Sequence, residues 1–375
     1  MIKTRIIWLA HEANISGANL CLKEFMIVAK DKGLDQCLII PHKGSMEQVA
    51  AELKIPVKII PYYFWTRPAN GYFFDKLLFR RLIRNTLAVF QLMLLTRRGG
   101  HNLFFTNTSV VNVGGWASKL TGSKHYWYVH EMGEEDFGFK LPWGKKSYWF
   151  MKNFADKVLT NSYHLASKYL NRYPSLHIEV IRYPVFVKKA ENLAKWSETI
   201  PVKLLLIGQI AKTKGQHIAI EAVKILINRG IDVTLTIMGK CDDKSFEEEI
   251  NLLIKKCSLN DKVFIEGFTS VPTEVMANHH ILLMCSRCEA FGRVTAEAMK
   301  IGIPVVGSNS CGTKEIITDN ITGYLFETGN AGELAQTILK VINNPAQREE
   351  IVMNALKHIN EMTDTNNIYR LFDQI

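Results

Sequence analysis

Residues 281–299 read ILLMCSRCEAFGRVTAEAM, and their order decides the fold. The run 281–285 is short, continuous and apolar, the pattern of a strand buried on both faces. A glycine-containing turn follows, and helical spacing begins near Arg293. Strand, tight turn and helix in succession form one βα unit of a parallel sheet, with the turn at the carboxyl edge, where the first amides of the helix lack partners. Such an edge suits a phosphate. Arg293, near the positive end of the helix dipole, is unfavourable unless an anion stands in front of it, which a diphosphate would supply. Glu289 before the turn and Glu297 within the helix can face that anion from opposite sides, and carboxylates accept from paired sugar hydroxyls without donating. Taken alone, the segment reads equally as a surface turn followed by a helix with an exposed Glu.

The same alternation of apolar runs and helical periods extends in both directions, so the fold class is α/β. Strands are expected near 5–10, 36–41, 57–60, 103–106, 125–129, 157–160 and 178–181, then near 201–208, 233–238, 263–265, 281–285, 304–307 and 323–326. A polar, lysine-containing stretch, 188–199, separates the two series and reads as a linker. At 375 residues and 47% hydrophobic content, two domains are expected. They are residues 1–187 and 200–355, each doubly wound, making one cleft, with 356–375 as a C-terminal helical segment packing back on the first domain.

The opening MIKTRIIWLA reads as a first strand rather than a secretory signal, and the longest apolar stretch, 87–95, is interrupted by Gln91 and far short of the roughly 20 residues that span a bilayer. A cytoplasmic protein is expected. Its seven cysteines are expected to be reduced, and Cys285 and Cys288, a C-x-x-C with no second pair at zinc-ribbon spacing, to be small buried residues. The net charge of +10 is uneven: residues 1–190 hold 27 Lys and Arg against 13 Asp and Glu, a balance of +14, and the remainder holds 19 against 23, or −4. A basic first half would concentrate an anionic partner.

Glu289 and Glu297, seven residues between them, with Phe291-Gly292 after the first and Gly302-Ile-Pro304-Val-Val and Gly312-Thr-Lys-Glu315 downstream, resemble the retaining glycosyltransferases of family 4. The segments Leu206-Ile-Gly208-Gln-Ile-Ala-Lys-Thr-Lys214-Gly215, Val263-Phe-Ile-Glu-Gly267-Phe and Gly323-Tyr-Leu-Phe are similar to the family's C-terminal domain in order and spacing. The resemblance is strong over 201–343 and weak elsewhere. It implies a GT-B architecture of two Rossmann-like doubly wound domains facing a central cleft, the donor held by the second and the acceptor by the first.

By matching motif positions, Glu289 contacts the transferred sugar, Glu297 the ribose, and the amides from Phe291 through Gly292 and Arg293 to Val294 the sugar and diphosphate. Lys214 neutralises the leaving diphosphate, because the family uses no metal and a cation must offset the developing charge. The resemblance thus implies no metal ion and no cofactor beyond the nucleotide sugar, and consistently no Asp-x-Asp triplet is present. Most relatives have Arg where this chain has Gln209, which removes one of two cations expected at the leaving group; either Lys212 or Arg293 compensates, or the donor is held differently.

In the first half, Ile15-Ser16-Gly17-Ala18-Asn19 looks like a reduced form of the family's Gly-Gly-Ala-Glu loop, where Gly17 lets backbone approach the donor diphosphate or the acceptor. His130, at a strand end, resembles by position the histidine that contacts the donor sugar. Glu131, Glu134, Glu135 and Asp136 form an acidic run that reads as a solvated loop, with an acceptor-positioning role open to Glu131. From Tyr62 to Arg98, aromatic residues (Tyr62, Tyr63, Phe64, Trp65, Tyr72, Phe73, Phe74, Phe79) interleave with Arg67, Lys76, Arg80, Arg81, Arg84, Arg97 and Arg98. That mixture suits an anionic membrane interface or an acceptor through Arg80, Arg81 and Arg84, and equally a core helix with a solvated face. No nucleic-acid recognition motif accompanies the charge.

The resulting expectation is a metal-independent retaining glycosyltransferase. It would carry sugar from a nucleoside diphosphate donor, UDP-sugar favoured, to a glycan, lipid-linked or other cell-envelope acceptor, as a cytoplasmic protein peripheral to the inner membrane face. A non-catalytic sugar-nucleotide-binding partner of another transferase and a GT-B nucleotide-sugar epimerase are the alternatives. Sugar, base and acceptor depend on a few contacts in variable loops.

Overall fold

The computed structural model describes residues 4–68, 78–96, 101–187, 196, 201–269 and 271–375. The linker 188–199 apart from Trp196 lies outside them, as do Tyr72, Phe73, Phe74, Lys76, Arg97 and Arg98 of the basic aromatic stretch. The chain divides into two compact units, Met1–Pro184 with Thr363–Ile375, and Val185–Met362.

The strands of the first unit are β1 (Arg5–Leu9), β2 (Asp35–Ile40), β3 (Val57–Ile59), β4 (Arg67–Pro68), β5 (Asn102–Thr106), β6 (Lys124–Val129), β7 (Phe139–Lys140), β8 (Lys157–Thr160) and β9 (Ile178–Val180). Seven make one parallel sheet in the order β3-β2-β1-β5-β6-β8-β9; β4 and β7 form a separate antiparallel pair too short for periodicity to reveal. Ile6 to Leu9 and all of β5 are buried, as a parallel sheet covered on both faces requires. The chain enters the sheet in its middle and winds outward both ways, so its direction reverses between β1 and β5. Right-handed crossovers therefore put helix Gly17–Asp31 on one face and helices Leu78–Met93, Val113–Thr121 and Lys145–Phe154 side by side on the other.

One buried ring in this sheet is held from both sides. The His125 ring takes Thr106 Oγ1 at 2.8 Å on Nε2 and the Phe154 carbonyl at 2.6 Å on Nδ1, and burial holds its pKa down at about 4. The C-terminal part is helical as expected, in two helices, Pro345–Met362 and Asn366–Asp373. The Asp364 carboxylate accepts the Asn366 amide at 3.0 Å, a local bond that competes with helix continuation. The last helix belongs to the first unit. Phe372 sets its ring 6.1 Å from Trp8 and 6.3 Å from Phe25, and Lys32 pairs with Asp373.

The second unit holds β10 (Val202–Ile207), β11 (Val233–Met238), β12 (Val263–Glu266), β13 (Ile281–Met284), β14 (Val305–Ser308) and β15 (Tyr324–Phe326), all parallel, in the order β12-β11-β10-β13-β14-β15. Leu204, Leu206, Ile237, Leu283 and Val306 interdigitate with Val223 and Ile338 of the covering helices. Here the reversal lies between β10 and β13. In open α/β sheets such a reversal opens a crevice at the carboxyl ends of the two strands, where ligands bind.

The cysteine expectation is corrected in one respect: Cys288 and Cys311 form a disulfide. The two lie 23 residues apart, on the loops leaving β13 and β14, and only the pairing of those strands brings them together. Cys285 is buried and unbonded, and burial pushes its thiol pKa well up.

Because Phe372 fills space between Trp8 and Phe25, Phe372→Ala is expected to destabilise the first unit by about 3 kcal/mol. Urea unfolding followed by tryptophan fluorescence checks this; a loss under about 1 kcal/mol would show that the helix docks without supporting the core.

Candidate functional site

The two reversal points each carry a cluster of the residues singled out in the sequence. In the second unit, the loop leaving β10 turns through the 3-10 segment Lys212–Lys214 and ends at Gly215, whose φ of +73° is left-handed. A Cβ at Gly215 would collide with the Cys285 carbonyl, so only glycine lets this turn lie on the end of β13. The Arg287 amide donates to the Thr213 carbonyl at 2.8 Å and fastens the two loops.

That contact delivers Lys214 to Glu289. Lys214 Nζ donates to Glu289 Oε1 at 2.6 Å, and the Ser286 hydroxyl donates to the same oxygen at 2.6 Å. Both charged side chains are largely but not wholly buried, with 16% and 17% of their surface exposed. The Glu289 backbone is held as well, since its carbonyl accepts the Gly312 amide at 2.8 Å and the Cys288–Cys311 disulfide flanks that bond. Phe291 is buried, and Gly292, at φ +91°, caps helix Arg293–Ile301 without a side-chain acceptor. The amides at this helix start therefore have no side-chain cap from Gly292, consistent with an external acceptor.

Arg293 and Glu297 occupy positions i and i+4 of that helix and bond each other, Nε to Oε1 at 2.7 Å. Burial raises the Glu297 pKa and Arg293 opposes the rise. The anion that Arg293 calls for at a helix start is thus supplied within the helix by Glu297, where the sequence pointed to a diphosphate. Val294 is half-buried beside them. Gln209 donates to Asp242 Oδ2 at 3.2 Å, and its carbonyl accepts from Gln216 Nε2 at 2.9 Å. Of the two candidate replacements for the missing arginine, Lys212 is exposed with its Nζ 3.8 Å from Glu249, and Arg293 bonds Glu297.

In the first unit, Gly17 opens helix Gly17–Asp31, with Ser16 as its N-cap. An added Cβ at Gly17 would meet nothing within 4 Å, so packing does not demand glycine there. His130 follows β6; its Nε2 lies 2.8 Å from Asn107 Oδ1, and burial, with the nearby His11 adding to it, lowers its pKa to about 3. Glu131 is not solvated as expected. Its carboxylate is buried and accepts the amides of Ser109 and His130 at 3.1 and 3.2 Å, because the loop after β6 folds under that of β5. Arg80, Arg81 and Arg84 lie on helix Leu78–Met93. One face of this helix packs into the core and the other is exposed: it buries Ala88, Val89 and Leu92 and exposes Phe79, Leu82, Leu87 and Phe90.

Sequence reasoning missed Ser286, Asn107 and the disulfide. Ser286 stands three residues before Glu289 in a loop, a readable signal; Asn107 directly follows β5 in a polar Thr-Asn-Thr-Ser run; for Cys311 there was none.

Residues 189–358 match the family described as Glycosyl transferases group 1. The capsular polysaccharide biosynthesis glycosyltransferase CapM of Staphylococcus aureus is 29% identical over 153 residues, 41% of this chain and 40% of that protein. The poly(ribitol-phosphate) alpha-N-acetylglucosaminyltransferase of Staphylococcus aureus (strain COL) is 27% identical over 255 residues, 66% of this chain and 49% of that one. The alignments thus span about half or less of these curated relatives. Among solved structures, Anabaena Alr3699/HepE in complex with UDP-glucose superposes with a TM-score of 0.78 at 21% identity over 99% of this chain and 98% of that one. Staphylococcus aureus TarM, in complex with Fondaparinux, alpha-GlcNAc-glycerol and UDP, superposes with a TM-score of 0.79 at 15% identity over 100% and 99%. The fold is the GT-B fold of glycosyltransferases.

Removing Arg293 would leave the Glu297 carboxylate buried and unpaired. Arg293→Ala is expected to cost the second unit about 3 kcal/mol in urea unfolding, and Glu297→Gln in the same chain to recover most of it. Additive losses would show that the pair does not act as one.

Proposed function

We propose that this protein is a glycosyltransferase that moves a sugar from a nucleoside diphosphate donor onto a glycan, lipid-linked or other cell-envelope acceptor, with retention and without a metal ion. The observation that carries the reading is the Lys214–Glu289 pair at the β10/β13 reversal, beside the uncapped start of helix Arg293–Ile301. A cation, a helix start with no side-chain cap and a carboxylate at one sheet edge are what a diphosphate joined to a polyhydroxylated ring needs. The names of the curated relatives, capsular polysaccharide and poly(ribitol-phosphate) transferases, favour a cell-envelope acceptor, and the UDP and UDP-glucose bound in related folds favour a UDP-sugar.

Each residue then has a task. With the donor bound, Lys214 turns from Glu289 toward the diphosphate and offsets the charge that grows on the leaving oxygen. Glu289, kept in place by Ser286 and Gly312, is left to accept from sugar hydroxyls. The departing diphosphate oxygen takes the acceptor's proton on the face it leaves, which retains the anomeric configuration. Glu297 meets the ribose, and His130 and the Gly17 loop serve the sugar and phosphate from the first unit.

Lys214→Ala is expected to lower kcat by about a hundredfold while nucleotide affinity falls only a few-fold, because a cation facing developing charge acts mainly in the transition state. Steady-state kinetics and UDP calorimetry, both with EDTA present, decide it. Equal losses would restrict Lys214 to ground-state binding, and activity restored only by Mn²⁺ would overturn the metal-free reading. A wild-type chain that binds UDP-glucose but neither transfers nor hydrolyses sugar would be a binder, and release of a 2-epimer would mark an epimerase.

A peripheral membrane contact is proposed from a separate observation. Helices Leu78–Met93, Val113–Thr121 and Lys145–Phe154 carry Arg80, Arg81, Arg84, Lys119, Lys145, Lys146 and Lys152 and no Asp or Glu. They also expose Phe79 (73%), Phe90 (60%), Trp116 and Trp149. Rings that seat among headgroups next to clustered cations fit an anionic bilayer surface. Among the described residues, no helix is long and apolar enough to cross a membrane. Arg80→Glu with Arg84→Glu is expected to weaken binding to phosphatidylserine vesicles by about tenfold or more in flotation assays. Equal binding of wild type to neutral vesicles would remove the electrostatic part of the proposal.

A further inference from the structure

At the other reversal, between β1 and β5, one side chain joins two of the residues singled out in the first unit. Asn107 is fully buried at the end of β5. Its Nδ2 donates to the Ala18 carbonyl at 2.9 Å, in the first turn of helix Gly17–Asp31, and its Oδ1 lies 2.8 Å from His130 Nε2. The orientation of this amide follows from its partners. A backbone carbonyl only accepts, so the NH₂ group must face Ala18 and the oxygen must face the ring. An amide oxygen also only accepts, so Nε2 of His130 must carry the hydrogen.

The other ring nitrogen is then determined. The ring is neutral near pH 7, so its single hydrogen resides on Nε2 and Nδ1 keeps a lone pair. The charged and titratable groups around it are His11, which disfavours protonation, and Glu131, whose carboxylate is turned to the His130 backbone amide; Tyr128 and Tyr183 supply the neighbouring rings. Among the described residues Nδ1 has no hydrogen-bond partner, and His130 is only half-buried.

We infer that Asn107 is a positioning residue that locks His130 as the Nε2–H tautomer, so that His130 meets a bound sugar as a hydrogen-bond acceptor and selects a hydroxyl at that place. This rests on the reading of His130 as a sugar contact. The lock also explains why the contact works without charge: an imidazole held neutral accepts from a hydroxyl, whereas an imidazolium could only donate. Through Ala18 the same amide ties the Gly17 loop to the His130 loop, so the two elements of the half-site are set by one residue.

The lock is tested on the unliganded full chain by long-range ¹H–¹⁵N correlation of the histidine rings, with His130 identified by its loss in His130→Gln. Wild type is expected to show Nε2 protonated and Nδ1 bare at neutral pH. Asn107→Leu is expected to populate both tautomers, and Asn107→Asp, which sets a carboxylate beside the ring, to raise the pH at which His130 takes its second proton. A wild-type ring protonated on Nδ1, or an unchanged Nε2–H ring in Asn107→Leu, overturns the proposal. Calorimetry then reads selection, with UDP-glucose and its monofluoro analogues as probes, since fluorine cannot donate. One fluoro position is expected to lose about tenfold or more in wild type and to lose little further in Asn107→Leu, whereas no sensitive position, or the same penalty in both proteins, removes the selection. The ring spectrum needs no turnover, so a chain with the expected tautomer but no transferase activity would sink the enzymatic reading and leave the lock standing.

Discussion

The second unit depends on how closely the loop after β10 can approach the end of β13. Gly215 has no side chain to strike the Cys285 carbonyl, and the Arg287 amide reaches the Thr213 carbonyl as a result. A side chain at Gly215 would force the loops apart and part Lys214 from Glu289. The sheet order makes the approach available, because β10 and β13 are neighbours although 73 residues separate the end of one from the start of the other (207 to 281, exclusive). The constraint is one of backbone geometry, and the charges follow it.

Those charges are already satisfied without a ligand. Lys214 holds Glu289, Arg293 holds Glu297, and Gln209 turns to Asp242. Paired groups avoid the cost of burying a lone charge, and a pair that is partly exposed can exchange one partner for an incoming anion. Lys214 and Glu289 keep enough exposure for that exchange, while Arg293 and Glu297, at 12% and 6%, are better shielded. The first pair is thus suited to exchange a partner and the second to hold the start of its helix.

The first unit reaches its half-site by neutral means. Asn107, His130, Glu131 and Ser109 join the loops after β5 and β6 through amides, a ring and a buried carboxylate whose pKa burial raises. Fixed dipoles of this kind keep direction without needing a counter-ion, so a substrate hydroxyl would find its partner already oriented. Helices Leu78–Met93, Val113–Thr121 and Lys145–Phe154, which cover one face of this sheet, instead carry exposed rings and basic side chains.

Most of the fold was legible in the chain. Buried parallel strands are continuous apolar runs, and the runs at 157–160 and 233–238 coincide with β8 and β11 to the residue. Turn chemistry marked the loops that matter, since Gly215 and Gly292 adopt left-handed conformations that few other residues tolerate. Period and turn preference are local properties, and the sequence carries them whole. It was silent on β4 and β7, two residues each, and on the break between the last two helices, because the Asp364 side-chain bond has no periodic signature. Pairings across the sheet were out of its reach: Cys288 with Cys311, Asn107 with Ala18 and His130, Lys214 with Glu289. Each joins loops that leave different strands, and strand order is settled by which apolar faces bury together over the whole sheet. The sequence determined which groups exist and on which loops they stand; tertiary structure alone decided which of them meet, because a hydrogen bond or ion pair depends on ångström distances that no spacing along the chain encodes.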